Sequence, residues 1–430
     1  MAASTTPAGE TLEEAWRHAL EANPSLRAAE RHVESARRRL DAAEAERLPR
    51  LWVGASWTRL DEAPSTVLRL PIPGGPAAPM TVIPLAIAAD EDLPIASGQL
   101  SVPVWTSGRI SAAIAATSEQ ADVRELGRRA SVQDLKLAVA DAYLQVLRSE
   151  RDLAVAADAV SSLEAHARIA RDLHEEGVIA RHDLLAAEVS LADARQGRIA
   201  AASGLEVARA AYNRRLARDQ GSPVLLRDLP APSLRLGDPR QGDGLLAELV
   251  ARARDGRAEL AALRRRAAAV RSKARSLSAE GCPQVSATGA YTWVENDVLD
   301  QDAFWSATVA VSWEVLDGGR TADRARALEL EAEALELQRE SLADGIALET
   351  RTAWRRLTAA LERLEATRES VALAEENLEV ARDRFANGVG TGAEVLDARA
   401  RLTRARSSRD DARYDAVQAD LELQRAVGAL

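Results

Sequence analysis

Apolar residues first recur at helical spacing: Leu12, Ala15, Trp16, Ala19 and Leu20, then Leu26, Ala29, Val33, Ala36, Leu40 and Ala43. Asn23-Pro24 punctuates the run, with Pro24 placed where a second helix can begin. After Pro49 the period shortens. Leu51, Val53, Ala55 and Trp57 point one way and Trp52, Gly54, Ser56 and Thr58 the other, which predicts a strand. The same order returns later. A helix from Leu245 to Ala279, interrupted near Asp255-Gly256, precedes a strand with Val285, Ala287, Gly289, Tyr291 and Trp293 on one side and Ser286, Thr288, Ala290 and Thr292 on the other. In the next strand Trp305, Ala307, Val309, Val311, Trp313 and Val315 form one face, against Ser306, Thr308, Ala310, Ser312 and Glu314. Its earlier counterpart is Leu100, Val102 and Val104, ending at Trp105. The pattern thus predicts two hairpins and four strands in all.

Between and after the strands the pattern is helical and free of proline, from Ser107 to Glu175 and from Gly319 to Ala386. At about 1.5 Å per residue, each run is roughly 100 Å long if continuous. Each ends at a glycine-containing turn, at 176–180 and 387–392, and a helix then returns, Asp183 to Leu216 and Glu394 to Val427. Helical hairpins of that length need neighbours side by side, because seams such as Leu135, Val139, Ala142, Val146 and Leu153 find no cover within one hairpin.

The two halves are copies. Gly108-Arg109 through Glu176-Gly177 fall on Gly319-Arg320 through Asn387-Gly388 at an offset of 211 residues. Asp141-Ala-Tyr143 falls on Thr352-Ala-Trp354, and Asp183-Leu-Leu185 on Glu394-Val-Leu396. Residues 12–57 pair with 246–291 at an offset of 234, matching Leu26 to Leu260 and Pro49 to Pro283. The difference of 23 is an insertion in the first copy, in the Pro-rich stretch between Arg59 and Leu100. The chain therefore divides into a first structural repeat at 11–218, a linker at 219–244 rich in Pro, Gly and Asp, and a second repeat at 245–430.

Composition narrows the function. Aromatics are 3% of the chain and charged residues 28%, the mixture of long helices. A net charge of -10 and the lack of a basic stripe argue against nucleic acid as a partner. Cys282 is the lone cysteine, so neither a disulfide framework nor a cysteine zinc site is expected within one chain. His166, His174 and His182 recur every eight residues, which turns them off a common helix face, and no metal or cofactor site is expected. No Ser/His/Asp pattern, phosphate loop or HExxH occurs, so the chain is not read as an enzyme. No window of 18 apolar residues predicts a transmembrane helix, and the first ten residues lack the regions of a signal peptide, so a leader is expected to have been removed if the protein is exported.

The strands concentrate the aromatic residues. Trp52, Trp57, Trp105, Tyr291, Trp293, Phe304, Trp305 and Trp313 are eight of the fourteen in the chain. Trp305 and Trp313 share a face eight residues apart, or about 26 Å of strand, which matches the roughly 25 Å apolar band of an outer-membrane barrel between its aromatic girdles. Four strands are too few to close a barrel, and three chains supply twelve. The same tryptophans also fit a rival reading, in which strand faces are buried between protomers of a soluble periplasmic coiled-coil scaffold or adaptor-type protein.

In this order and twice over, several motifs resemble the TolC family of outer-membrane efflux proteins. They are Asn23-Pro24-x-Leu26, Pro49-x-Leu51, Asp141-Ala-Tyr143, Leu316-Asp317-Gly318-Gly319-Arg320, and Arg384-Phe385-x-x-Gly388 followed by Glu394-Val-Leu-Asp397-Ala398. The resemblance implies an α+β homotrimer, in which four strands per chain build a twelve-stranded transmembrane β-barrel continuous with a long periplasmic α-helical barrel. It implies residence in the outer membrane, with the helices extending into the periplasm. It also implies an exit duct for a tripartite efflux or type I secretion system, recruited by a periplasmic adaptor and an inner-membrane transporter. Trp57, Trp293, Trp305 and Trp313 would form the aromatic girdle against lipid. Gly177, Val178, Ile179, Gly388, Val389 and Thr391 would be the tips where the adaptor docks. Glu394 and Asp397, with Phe385 and Asp183, would form the periplasmic gate, where Glu394 and Asp397 alone bring six carboxylates from three chains to draw cations to the pore. At the family's closing lock this chain departs: Phe385 has no hydroxyl, and Gly390 stands where an arginine pairs with an acid placed like Asp183.

Overall fold

The structure is a computed structural model that describes residues 9–62, 65–72, 81–88, 91–229, 232–295, 300–386 and 389–430. Helix α1 (Leu12–Ala22) starts at a capping box, in which the Thr11 hydroxyl accepts from the Glu14 amide and the Glu14 carboxylate accepts from the Thr11 amide. Helix α2 (Pro24–Ala45) begins on proline, and Asn23 Oδ1 accepts from the amides of Ser25 and Leu26. Strand β1 (Arg50–Arg59) follows, then β2 (Ser65–Ile72), β3 (Thr81–Ala88) and β4 (Asp92–Trp105). The long helices are α3 (Arg109–Glu175) and the returning α4 (Arg181–Arg215). In the second half α5 (Asp243–Gly256), α6 (Ala258–Ser278), β5 (Gln284–Val294), β6 (Ala303–Ser312), α7 (Arg320–Ala386) and α8 (Gly392–Val427) repeat the series.

The chain forms two compact units, and each takes elements from both halves. One holds the chain up to Glu34 with Asp122–Arg264 and Glu336–Leu430; the other holds Ser35–Ala121 and Arg265–Leu335.

The helical unit builds the same core twice. Leu12, Ala15, Tyr143, Val146 and Tyr212 are buried in one cluster, and their counterparts Leu246, Leu249, Trp354, Leu357 and Leu423 are buried in another. These positions differ by the two sequence offsets, so the duplication survives as duplicated packing. The segment after α4, read as a linker or equatorial segment, is a strap tied down by hydrogen bonds and ion pairs. Glu10 and Leu226 form a parallel bridge. The Asn213 amide donates to the carbonyls of Gln220 and Ser222, and the Asp228 carboxylate accepts from Arg151, Arg413 and Tyr414. Apart from Asn213 those partners come from distant elements, which composition alone does not reveal.

In the other unit four strands form one antiparallel sheet in the order β1-β4-β5-β6. Strand β4 starts eight residues before Leu100, and β6 ends at Ser312, short of Trp313 and Val315. The expectation of four strands is corrected as well. The insertion holds β2 and β3, which among the described residues pair only with each other. Its prolines hid a β-branched run, Thr81-Val-Ile, and proline is tolerated in a hairpin open on both edges. Strand passes to helix through two left-handed residues, Ser107-Gly108 in the first copy and Gly318-Gly319 in the second. In the second copy Asp317 takes the amides of Gly319 and Thr321 at 2.9 and 2.8 Å, which accounts for its place in the motif before α7.

Candidate functional site

The pairing register collects the apolar side of every strand in the sheet onto one face. Leu51 lies opposite Leu100, which lies opposite Gly289, which lies opposite Ala307. One row along are Val53, Gly98, Tyr291 and Trp305; beyond it come Ala55, Ala96, Trp293 and Ala303. A one-residue slip in any pairing would turn that strand's apolar set to the other side. The opposite face carries Ser56, Ser97, Gln99, Ser101, Thr288, Thr292, Ser306 and Thr308. At the far end an irregularity between Pro103 and Trp105 sets Trp105 opposite Val285, so the bulge, and not simple alternation through Val104, ends the apolar face of β4.

This face is open to solvent in the single chain. Val53 is 75% exposed, Trp305 77% and Val309 74%. Trp57, Trp293 and Trp305 lie near one end of the sheet, while Trp105 and Trp313 lie toward the other, where the Trp313 indole donates to the Gly281 carbonyl at 3.1 Å. An exposed apolar patch this extensive marks a lipid or protein contact. Among the described residues β1 and β6 each keep one edge unpaired, and long apolar edges demand a partner strand. Among the described residues, no helix is long and apolar enough to cross a membrane.

The two helical turns lie in the other unit. At the first, Gly177 sits at φ +74°, and the amides of Val178 and Ile179 donate to the Leu173 carbonyl. Val178 is exposed, whereas Ile179 packs on Ala167, Ala170 and Ala187. The two tip residues thus separate into one exposed and one anchored. His174 Nδ1 lies 3.1 Å from the Ile179 carbonyl and holds the turn closed. At the second turn Val389 is exposed, and Thr391 caps α8 by accepting from the Glu394 amide. Gly388 lies outside the described residues, and Phe385 is described only as backbone of α7.

Each acidic residue of the two turns has a basic neighbour of its own. Glu394 pairs with Arg384 at 3.8 Å, Asp397 with Arg401 at 2.8 Å, and Asp183 with His182 at 3.2 Å. What joins the turns is a cleft of about 470 Å³, bounded by His166, Ile169, Ile179 and Asp183 on the first hairpin and by Thr391, Gly392 and Leu396 on α8. Burial pushes the His166 imidazole below its ordinary pKa, which favours the neutral ring in the cleft.

Sequence reasoning missed the buried polar centres of the helical unit. Glu10 accepts from Arg218 and from the Tyr212 hydroxyl, while Tyr143 donates to the carbonyls of Glu10 and Arg227. Burial raises both phenols, so they stay protonated donors. Glu259 lies between Arg257 and Arg425, whose guanidiniums reach it at 3.0 and 2.7 Å. Its burial opposes ionisation, but the hydrogen bonds from Arg257 and Arg425 outweigh it and bring the carboxyl down to about 2. The only sequence signal was positional: Arg257 stands 234 residues after Asn23, where the second copy breaks the Asn-Pro motif.

A family model described as outer membrane efflux protein matches residues 16–216 and 249–429. Comparison with curated protein sequences gives no match. Among solved structures, the outer-membrane channel OprN is 20% identical with a TM-score of 0.79, over 97% of this chain and 90% of that one. The outer membrane protein VceC from Vibrio cholerae is 17% identical with a TM-score of 0.77, over 97% and 96%. The MtrE outer membrane channel of Neisseria gonorrhoeae, solved in its open state, is 18% identical with a TM-score of 0.73, over 97% and 88%. Likeness at these identities establishes the fold, mostly helical with a small sheet.

Proposed function

Since the chain belongs to the outer membrane efflux protein family, and so is an outer-membrane exit duct of efflux systems, we propose that it works as a homotrimer closed through its sheet edges. The sheet order leaves β6 of one copy to pair with β1 of the next, giving twelve strands and no open edge. The apolar face then meets lipid, with Trp57, Trp293, Trp305 and Trp313 near the headgroups, and the hydroxyl-rich face lines the lumen. The paired long helices of the two repeats form the periplasmic tunnel, and the strap after α4 runs in a belt around it.

At the tunnel's end the tips carry Gly177, Val178, Ile179, Gly388, Val389 and Thr391 to a periplasmic adaptor, which couples the duct to an inner-membrane transporter. Glu394 and Asp397, with Phe385 and Asp183 nearby, form the gate. With no hydroxyl on Phe385 and no arginine at residue 390, the apolar cleft around Ile179 and Leu396 takes the place of a polar lock. Passage is passive, with substrate delivered by the pump.

The observation that carries this reading is the register that aligns four apolar strand faces beside two unpaired edges. The test is expression with a secretory leader, followed by fractionation, chemical cross-linking and recording in planar bilayers. The expected result is a protein in the outer-membrane fraction that needs detergent, cross-links as a trimer and conducts ions. A monomer recovered in the soluble fraction without detergent would end the reading in favour of a scaffold.

A further inference from the structure

The hydroxyl-rich face of the sheet holds two large aromatic side chains that the lipid face does not need. Trp52 projects from β1 on the side of Gln99, and Phe304 projects from β6 on the side of Thr292. Both are substantially exposed, Trp52 at 60% and Phe304 at 48%. The Trp52 ring does not stand away from the sheet. It lies over Gly54, where a methyl group would collide with its Cη2 and Cζ2 atoms, so the indole is laid along the wall with its outer surface free. Gly54 belongs to the row Gly54, Ser97, Thr292, Phe304, which brings the indole onto the same cross-strand row as the phenyl ring.

We infer that Trp52 and Phe304 form an aromatic track on the lumen wall that binds planar aromatic solutes in transit, an inference that rests on the trimeric duct proposed above. Three copies repeat the pair around the lumen. Three strand spacings at about 4.8 Å, tilted by about 40°, separate the two rings in height by about 9 Å, so they form two tiers. Along the wall the two rings lie about 14 Å apart, so a planar solute leaving one tier reaches the next in a single step of roughly that length. Stacking on an indole or phenyl face is tolerant of chemical detail because any aromatic solute offers a π-surface. The neighbours Ser97, Gln99, Thr292 and Ser306 add hydrogen-bonding groups for the solute's edge. The charged strand residue on this side is Arg50, and the indole leans toward Gly54 and away from it.

The experiment is single-channel recording of the purified full-length protein with ethidium as a planar probe, drawn in by voltage, and tetraethylammonium as a cation of the same charge without an aromatic plane. The variants are Trp52→Ala, Phe304→Ala and Trp52→Leu, the last keeping an apolar cover on Gly54 while removing the π-surface. Ethidium is expected to interrupt the current of the unmodified protein, with dwell times that shorten about 5- to 10-fold in each variant. Tetraethylammonium is expected to leave all four proteins alike. Equal ethidium dwell times in the unmodified protein and in all three variants would overturn the track and leave the duct intact. Equal shortening with tetraethylammonium would reduce the effect to pore geometry and also overturn it. A protein that passes no potassium chloride current at all would remove the duct reading itself, and the track with it.

Discussion

Arg257 donates to the carbonyl of Ala426 at 3.0 Å, and this bond is the second-repeat copy of the one that Asn23 makes to the carbonyl of Arg215 at 3.2 Å. Both donors and both acceptors are related by the sequence offsets, yet the donor has changed from a neutral amide to a guanidinium. The larger group goes on to bind Glu259 and Glu349, so one repeat closes its helices with a cap and the other with an ion cluster.

That difference sets unequal costs. Asn23→Ala removes a cap and one interhelical bond and is expected to cost about 1–2 kcal/mol. Arg257→Ala strands the buried end of a charge network and is expected to cost about 3–5 kcal/mol. Thermal loss of helical ellipticity in detergent checks both; equal shifts in melting temperature would contradict the ranking.

Glu259 makes the fold acid-sensitive. Its folded pKa of about 2 lies below the ordinary carboxyl value of 4.5, so its contribution is complete above 4.5 and fades as pH falls toward 2. Glu259→Gln should therefore be less stable by on the order of 2–4 kcal/mol at pH 7. The two proteins should converge near pH 2. A difference that stays constant from pH 7 to pH 2 would show that the carboxylate charge is not what matters.

Neighbouring residues of β6 should respond oppositely to the same change. Val309→Arg places a guanidinium on the apolar face and is expected to cost about 2–4 kcal/mol in a bilayer and to block insertion. Thr308→Arg points to the other side and should be tolerated. Outer-membrane recovery and the heat-dependent gel mobility of the trimer read the contrast, and loss of both variants would reject the face assignment.

At the second turn the carboxylates already have arginine partners. Replacing Glu394 and Asp397 with Ala should weaken cation preference in single-channel recordings. Arg401→Ala, which frees Asp397 from its 2.8 Å pair, should strengthen it. Unchanged reversal potentials in both variants would remove these acids from the conduction path.

Sequence by itself determined the long helices, the duplication and the sidedness of the strands that alternate cleanly, though not β2, β3 or the bulge in β4. Those features follow from local geometry, a residue spacing of 3.6 in helices and 2 in strands, which any chain must satisfy within a few residues. The motif residues were legible for the same reason: Pro24 opens α2, and Asp317 with Gly318-Gly319 turns β6 into α7.

Only the tertiary structure decided which strands meet, and in what register. Leu51, Leu100, Gly289 and Ala307 form one row across the sheet, yet Gly289 lies 189 residues after Leu100 in the chain. No local period links positions so far apart. The same holds for the bulge that sets Trp105 opposite Val285, and for the carboxylate of Asp228, whose partners Arg151 and Tyr414 lie far along the chain. Side-chain polarity says that a carboxylate wants a partner; which partner it gets depends on how the helices pack.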